Sequence, residues 1–320
     1  MPIPEVTEAW TGSVNVVRLG RTKEEGGSRS AVIEVGGAKA MPYLGDAATR
    51  GKKPVIAMDV LDAAPRDWPD VLVEPLRGVL ESPAAWAKKC VEEFGADLVC
   101  LKLDGIHPDK FDRGPEESIA VTKEILEAVS VPLIIWGCGH YQKDNLVMPK
   151  VSQAAKGENC LLGAATKDNY KTLTAVCLAD DHALVTLSPL DINIAKQVNI
   201  LVADMGFPLE RVVMFQTTGA LGYGIEYAYS IQERQRQAAL AGDKMMAMPV
   251  ICDVGTESWR CKEAKAPESE FPAWGSEKER GVLWEAMTAA TLLQSGADII
   301  RMRHPKAVAV VKKLIDKLWA

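Results

Sequence analysis

The sequence lacks the features that mark membrane, secreted and nucleic-acid-binding proteins. It contains no apolar run near the roughly 18 residues that suggest a membrane span. Residues Met1 to Glu5 have neither the basic nor the apolar region of a secretion signal. The net charge is −6, whereas nucleic-acid binders usually carry a basic balance or a basic stripe. We therefore expect no membrane partner and no nucleic-acid partner, and we expect the chain in the cytoplasm.

The sequence also lacks cysteine and histidine pairs spaced as metal ligands. Its seven cysteines include no Cys-x-x-Cys pair, and an odd number argues against a disulfide framework. Most of them lie in apolar segments, so we expect a small buried thiol at every position except Cys261. The four histidines show no paired ligand spacing, and a single loop histidine such as His140 is more often solvated than bound to metal. The sequence therefore predicts no metal site and no iron–sulfur cluster on this chain.

From Pro54 onward, short apolar runs alternate with amphipathic stretches. Such alternation predicts parallel strands joined by helical crossovers. Eight strand–helix units in about 250 residues are typical of a (β/α)8 barrel. The predicted strands begin near Val55, Leu98, Leu133, Leu161, Ala183, Val212, Val250 and Ile299. The predicted helices span residues 86–94, 116–129, 145–155, 170–178, 192–205, 225–241, 281–294 and 306–318.

The segment before the barrel has a different pattern. Residues 11–19 and 30–35 alternate in polarity on either side of Gly26 and Gly27, which predicts a β-hairpin. Residues 36–53 show no sustained period and are predicted to connect the hairpin to the barrel. We therefore predict an α/β fold in two parts: an N-terminal β-hairpin and connector over residues 1–53, and a (β/α)8 TIM barrel over residues 54–320.

Side chains in a barrel strand alternate between the interior and the helix layer. In the second barrel strand, Val99, Leu101 and Leu103 are predicted to face the helices. The side chains of Cys100, Lys102 and Asp104 then face the interior, as do Asp59, Ile251, Asp253, Arg301 and Arg303 in other strands.

Charged side chains are thus predicted to meet at the carboxyl ends of the strands. Arg301 or Arg303 could reach Asp253 or Asp59, and Lys102 would lie near Asp104. For the basic groups we favour an internal ion-pair network, because buried charges need partners. For Asp59 and Asp104 a ligand contact stays equally open, since active sites of this fold lie at these strand ends. Two carboxylates also suit a glycosidase, but only 6% of residues are aromatic, which leaves little for a sugar platform.

Residues 212–227 read as an apolar strand, a loop with glycines at 219, 222 and 224, and the start of a helix. Two hydroxyl groups, those of Thr217 and Thr218, stand where the strand ends. A glycine-rich loop lets a large or flat ligand approach the backbone, because no Cβ stands in the way. The loop alone is equally consistent with a tight strand-to-helix turn.

Residues 260–276 form a long insertion after the seventh barrel strand, and they include Phe271, Pro272 and Trp274. Long loops without structure of their own are usually functional, and exposed aromatic residues fit a partner interface. Local packing of Trp274 is an equally good explanation.

Four segments carry a resemblance to a known family. They are Gly219-Ala-Leu-Gly-Tyr-Gly-Ile-Glu-Tyr227, Ser188-Pro-Leu-Asp-Ile-Asn193, Pro249-Val-Ile-Cys-Asp-Val-Gly255 and Met302-Arg-His-Pro305. Together they resemble the small subunit of the corrinoid iron–sulfur protein, whose archaeal counterpart is the delta subunit of the acetyl-CoA decarbonylase/synthase complex. The resemblance extends over nearly the whole chain.

This resemblance implies a barrel subunit that pairs with a larger subunit carrying a corrinoid and an Fe4S4 cluster. The pair would carry a methyl group from methyltetrahydrofolate, delivered by a methyltransferase, to acetyl-CoA synthase. It implies a cobalamin shared between the two subunits, the Fe4S4 cluster on the partner alone, and no catalytic residue or metal ligand on this chain. The residues that it implies around the corrin are Ser188, Thr217, Thr218, Gly219, Leu221, Gly222, Tyr223 and Asp104.

Two other functions stay open from the sequence. One is a stand-alone pterin-binding barrel methyltransferase that acts on methyltetrahydrofolate, in which Asp59 and Asp104 would bond the pterin. The other is a scaffold that holds the large subunit and touches no cofactor. Fold alone does not decide among these functions.

Overall fold

Eight parallel strands form a nearly closed barrel in the computed structural model, which describes residues 9–42 and 44–320. The order of hydrogen-bonded strands is β8-β7-β6-β5-β4-β3-β10-β9, and a bridge between Met214 and Val250 links the two ends. The strands are β1 (Val16–Leu19), β2 (Ile33–Gly36), β3 (Val55–Leu61), β4 (Leu98–Lys102), β5 (Leu133–Trp136), β6 (Leu161–Ala165), β7 (Ala183–Leu187), β8 (Val212–Phe215), β9 (Ile251–Asp253) and β10 (Ile299–Met302). The predicted barrel is confirmed. The predicted lack of a secretion signal concerns residues 1–5, which lie outside the described residues.

Helices follow the barrel strands and form the outer layer. They are α1 (Asp70–Val73), α2 (Pro83–Glu92), α3 (Pro115–Ala128), α4 (Tyr141–Ala154), α5 (Tyr170–Asp180), α6 (Ile192–Asp204), α7 (Ile225–Leu240), α8 (Val254–Arg260), α9 (Lys262–Lys265), α10 (Glu277–Ser295) and α11 (Pro305–Trp319). The eight predicted helices are present within a few residues of their expected ends. The short helices α1, α8 and α9 were not predicted. In the described ranges, no helix has the length and apolar character needed to span a membrane.

Alternation along the strands divides the buried residues into two layers. Val99, Leu101 and Leu103 pack in the large cluster beneath the helices, whereas Cys100 and Ile251 pack inside the barrel. This division confirms the predicted orientation, and it follows from the two-residue period of a strand.

The N-terminal hairpin closes one end of the barrel. β1 and β2 pair antiparallel, with Val17 opposite Val35. Val17, Leu19 and Val35 join the interior cluster together with Leu98, Leu161 and Ile299, which lie at the starts of their strands. The hairpin is present but shorter than predicted. The division of the chain at residue 54 stays a prediction.

The cysteine prediction needs one correction. Cys261, the one cysteine left out of the buried-thiol expectation, is buried as well and packs with Ala220, Trp259 and Ala264. Cys138 is instead the half-buried thiol, because it lies beyond the end of β5 in the loop before α4.

Candidate functional site

A buried ion-pair network fills the carboxyl end of the barrel between β3, β9 and β10. Arg301 donates to Asp59 Oδ1 from Nε at 3.1 Å and from Nη2 at 2.9 Å, and to Asp253 Oδ2 from Nη1 at 3.0 Å. Arg303 Nε donates to Asp59 Oδ2 at 3.1 Å. Burial works against ionisation, but the charges of Arg301, Lys102 and Arg303 together outweigh it and lower the pKa of Asp253. The predicted contacts are confirmed, and both oxygens of Asp59 are used by the protein itself.

Asp104 is a second carboxylate with partners from its own chain. Its Oδ1 lies 3.5 Å from Lys102 Nζ, and its Oδ2 accepts a hydrogen bond from Lys110. Burial works against ionisation here as well, but the two lysines outweigh it and lower the pKa of Asp104. β4 lies four strands from β8 in the barrel order, so Asp104 stands across the mouth from the glycine-rich loop. The structure does not bring it together with the other predicted corrin contacts.

Asp62 is a buried carboxyl group at the mouth that the sequence reasoning missed. It directly follows β3, and its Oδ1 accepts from the backbone N–H of Gly105 at 2.6 Å. Burial raises the pKa of Asp62 to about 6, and the nearby charge of Asp104 adds to the rise. The position of an aspartate immediately after a barrel strand was the signal available in the sequence.

We expect Asp62→Asn to stabilise the chain at pH 8. The pKa of Asp62 is about 6 in the folded chain, whereas its ordinary value is 3.8. The favourable contribution of Asp62 to the free energy of unfolding is therefore complete below pH 3.8, and it is lost as the pH rises through 6. Asparagine keeps an acceptor for Gly105 without the buried charge, so the free energy of unfolding should rise by about 1–2 kcal/mol at pH 8.

Urea unfolding at pH 8 and pH 5 tests this expectation. The difference in the free energy of unfolding between the variant and the wild type should be smaller at pH 5, where Asp62 is mostly protonated. Asp204→Asn, a change at the exposed end of α6, is the control. An equal gain at both pH values would contradict the assigned shift.

Thr217 and Thr218, which follow β8, both serve the fold with their hydroxyl groups. Thr217 has a positive φ of 64°, and its Oγ1 donates to the carbonyl oxygen of Ser188 at 2.8 Å. Thr218 Oγ1 accepts from the backbone N–H of Asp253 at 2.8 Å. Non-glycine residues rarely adopt positive φ, and such residues concentrate at functional sites. Through their hydrogen bonds to Ser188 and Asp253, the hydroxyls of Thr217 and Thr218 fix the start of the glycine-rich loop to the ends of β7 and β9.

The glycine-rich loop, residues 217–224, needs glycine for two different reasons. A Cβ at Gly219 would lie 2.3 Å from the carbonyl oxygen of Gly224, so the two arms of the loop touch there. Gly222 has a φ of +73°, and a Cβ there would make an ordinary contact of 3.5 Å with Trp284. Gly219 is buried, whereas Gly222 and Tyr223 are exposed and Leu221 is half-buried. The exposed part of the loop is thus a surface with few side chains.

The insertion supports the glycine-rich loop from one side. Tyr223 Oη donates to Glu263 Oε2 at 2.8 Å, which raises the pKa of Tyr223. The N–H of Leu221 donates to Thr288 Oγ1 at 3.3 Å. Ala220 packs with Trp259 of α8 and with Cys261 and Ala264 of the insertion in a small apolar cluster. Contacts distant in sequence therefore set the shape of this loop.

The insertion itself is structured, contrary to the expectation of a loop without structure. It contains α9 and a 3₁₀ turn over Pro272–Trp274. Arg280 Nη1 donates to the carbonyl oxygen of Gly275 at 3.0 Å, and other nitrogens of Arg280 donate to the carbonyl oxygens of Glu263 and Ala266. Trp274 stacks on Phe271 with ring centroids 4.2 Å apart, and 39% of it stays exposed. Local packing is therefore real, and a partner interface stays a prediction.

Ser188 and Gln216 bring buried polar atoms to the ends of β7 and β8. Ser188 Oγ and both polar atoms of the Gln216 side chain have no hydrogen-bond partner within the described part of the chain. The resemblance implies Ser188 as a site residue, whereas Gln216 is not among the residues that it implies. Sequence alone does not reveal that these atoms are left without partners.

Residues 9–42 and 44–320 contain no cluster of three or more His, Cys, Asp or Glu side chains suited to a metal ion. His140 instead caps α4, where its Nδ1 accepts from the N–H of Lys143 at 3.4 Å.

Comparison with known proteins gives close sequence relatives and more distant structural ones. A family model described as CO dehydrogenase/acetyl-CoA synthase delta subunit matches residues 17–314. The acetyl-CoA decarbonylase/synthase complex subunit delta of Methanosarcina mazei is 36% identical over 97% of this chain and 72% of its own length. The protein of the same name from Methanopyrus kandleri is 37% identical over 95% of this chain and 75% of its own length.

Among solved structures, dihydropteroate synthase from Stenotrophomonas maltophilia has a TM-score of 0.55 at 16% identity, covering 86% of this chain and 97% of that one. The enzyme from Thermus thermophilus has a TM-score of 0.54 at 13% identity, covering 83% and 93%. At such low identity these likenesses show the barrel fold and nothing about the ligand.

Proposed function

Because this chain belongs to the CO dehydrogenase/acetyl-CoA synthase delta subunit family, we propose that it is the small subunit of a corrinoid methyl carrier in the reductive acetyl-CoA (Wood–Ljungdahl) pathway. It pairs with a larger subunit that carries an Fe4S4 cluster, and the two hold a cobalamin between them. When bound, the cobalamin supplies a cobalt centre that accepts a methyl group from methyltetrahydrofolate, through a methyltransferase, and gives it to acetyl-CoA synthase. The cytoplasmic location stays a prediction.

The glycine-rich loop is the observation that carries this proposal. A corrin is a broad, mostly apolar disc with amide groups around its rim. Gly222 adds no side chain to the exposed backbone, and the neighbouring Leu221 and Tyr223 supply apolar and aromatic surface on which such a disc can lie. Ser188 and Gln216 supply buried polar atoms that the described part of the chain leaves without partners. These features fit a corrin, and they favour a position on the β7–β8 side of the mouth.

The proposed role of this chain is to bind, orient and shield the cofactor. Asp59 is bonded by Arg301 and Arg303, and Asp104 is paired with Lys102 and Lys110. Asp59 is fully buried with both oxygens bonded, so it has no free oxygen for a general base within reach of a substrate proton. The same contacts weigh against the stand-alone pterin methyltransferase, which would need Asp59 and Asp104 for the pterin.

Co-expression with the large subunit encoded by the same organism tests the proposal. We expect a one-to-one complex with corrinoid absorption bands, whereas this chain purified alone should show none. A chain that stays monomeric beside the large subunit, and that binds methyltetrahydrofolate by itself, would contradict the proposal and favour the pterin enzyme. A stable complex whose corrinoid spectrum is indifferent to changes in residues 217–224 would favour the scaffold.

A further inference from the structure

Ser188 and Gln216 are neighbours at the ends of two adjacent strands. Leu187 in β7 pairs with Phe215 in β8, and the N–H of Ser188 donates to the carbonyl oxygen of Phe215 at 3.0 Å. Ser188 and Gln216 are thus the next residue of each strand. Thr217, which has a positive φ, links the two strand ends, because its Oγ1 donates to the carbonyl oxygen of Ser188. The two side chains are held side by side by backbone contacts.

Both side chains are almost completely buried, and their polar atoms are left without partners. Ser188 is 2% exposed and Gln216 is 1% exposed, yet Ser188 Oγ, Gln216 Oε1 and Gln216 Nε2 have no bond within the described part of the chain. Gln232, buried to the same degree, is fully bonded: its Nε2 donates to Cys252 Sγ at 3.1 Å and its Oε1 accepts from Ser295 Oγ at 2.7 Å. An unpaired buried polar atom costs free energy that a bonded one does not. The pair at β7 and β8 therefore needs an explanation that Gln232 does not.

We propose that Ser188 and Gln216 form a subsite for one primary carboxamide of a bound ligand, which under the proposed function is an amide on the corrin rim. The side chain of Gln216 offers a donor and an acceptor side by side, and a primary carboxamide presents the complementary acceptor and donor. Ser188 supplies a hydroxyl that can serve as either. This inference rests on the proposed function, and it adds Gln216 as a residue that selects the ligand.

The chemistry of the subsite favours a neutral amide over an anion. Within residues 9–42 and 44–320, no Lys or Arg side chain is hydrogen-bonded to Ser188 Oγ or to the Gln216 side chain. A buried carboxylate without a cation would be strongly disfavoured. Pro189 and Leu190 directly follow Ser188, and Gly222 and Tyr223 belong to the loop that begins after Gln216; all four residues are exposed. Because the pair is covered in the free chain, binding of the amide requires these two loops to part.

A stability measurement on the free chain is the first test. Gln216→Met keeps an unbranched side chain of similar size and removes two unpaired polar atoms, so the melting temperature should rise by about 2 °C. Gln232→Met is the matched control, and its melting temperature should fall because Cys252 and Ser295 lose their partner. A fall for Gln216→Met as well would show that ordered water already bonds this side chain, and it would overturn the proposal.

The second test measures corrinoid retention by the complex with the large subunit. Hydroxocobalamin is the probe, beside its derivatives in which a single rim amide is hydrolysed to a carboxylic acid. The wild-type complex should bind one of these derivatives about tenfold more weakly than hydroxocobalamin, which corresponds to about 1.4 kcal/mol. With Gln216→Met, hydroxocobalamin itself should bind about tenfold more weakly, and the discrimination against that derivative should disappear.

The outcomes separate this inference from the function on which it rests. A wild-type complex that holds no corrinoid refutes the proposed function. A wild-type complex that holds corrinoid, with a Gln216→Met complex that binds it equally well and discriminates equally, refutes the amide subsite alone.

Discussion

Replacing Asp59 by alanine is expected to lower the free energy of unfolding by about 3–5 kcal/mol. Asp59 is fully buried and accepts hydrogen bonds from Arg301 and Arg303. Its removal leaves Arg303 without that carboxylate and leaves Arg301 with Asp253 alone. An uncompensated charge in the barrel interior is among the few changes that destabilise a protein this strongly. Because natural proteins are stable by only about 5–15 kcal/mol, the variant should be marginal.

Urea unfolding followed by tryptophan fluorescence measures this loss. Trp136 is a local reporter, since the guanidinium of Arg301 lies 4.4 Å from the centre of its ring. Asp59→Asn keeps the volume, but it removes the charge and one of the two acceptor oxygens that the arginines use. We expect a smaller loss than for alanine, and this variant serves if the alanine variant does not fold. Asp204→Ala, at the exposed end of α6, should change the free energy of unfolding by less than about 0.5 kcal/mol. A loss that small at Asp59 would mean that the network contributes nothing to the fold.

The barrel could be predicted because its signals are local. The two-residue period placed Cys100 inside and Leu101 outside, and both follow from the strand alone. The same period placed Asp59, Asp253 and Arg301 at one end of the barrel. Once those three face the interior of adjacent strands, the need of buried charges for partners leaves few arrangements. The ion pairs were therefore predictable as well.

The details of the site could not be predicted, because they depend on contacts between distant segments. Tyr223 is held by Glu263, forty residues later, and no local pattern indicates such a bond. The structure of the insertion depends on Arg280, which bonds three backbone carbonyl groups. The unpaired atoms of Gln216 are visible only when every possible partner has been placed. Asp104 was included with the glycine-rich loop although strand order separates them across the mouth.

The glycine-rich loop gives the most direct test of where the cofactor lies. Gly222→Asn should reduce corrinoid retention by the complex by at least about tenfold, while it changes the stability of the free chain little. Asparagine is the residue that best tolerates the left-handed backbone found at Gly222, after glycine itself. A Cβ there makes only an ordinary contact with Trp284. The new side chain would therefore stand on the exposed surface proposed for the corrin without disturbing the fold beneath it.

Gly206→Asn is the matched control for this change. Gly206 is also exposed, has a φ of +80° and has open space around its Cβ position. It lies between α6 and β8 at the opposite end of the barrel from the mouth. Both variants should show similar melting temperatures and should still co-purify with the large subunit. Corrinoid retention by the complex should be lost with Gly222→Asn and kept with Gly206→Asn. Equal retention by both variants would move the corrin away from residues 217–224, because an added side chain on the contact surface cannot leave the affinity of a flat ligand unchanged.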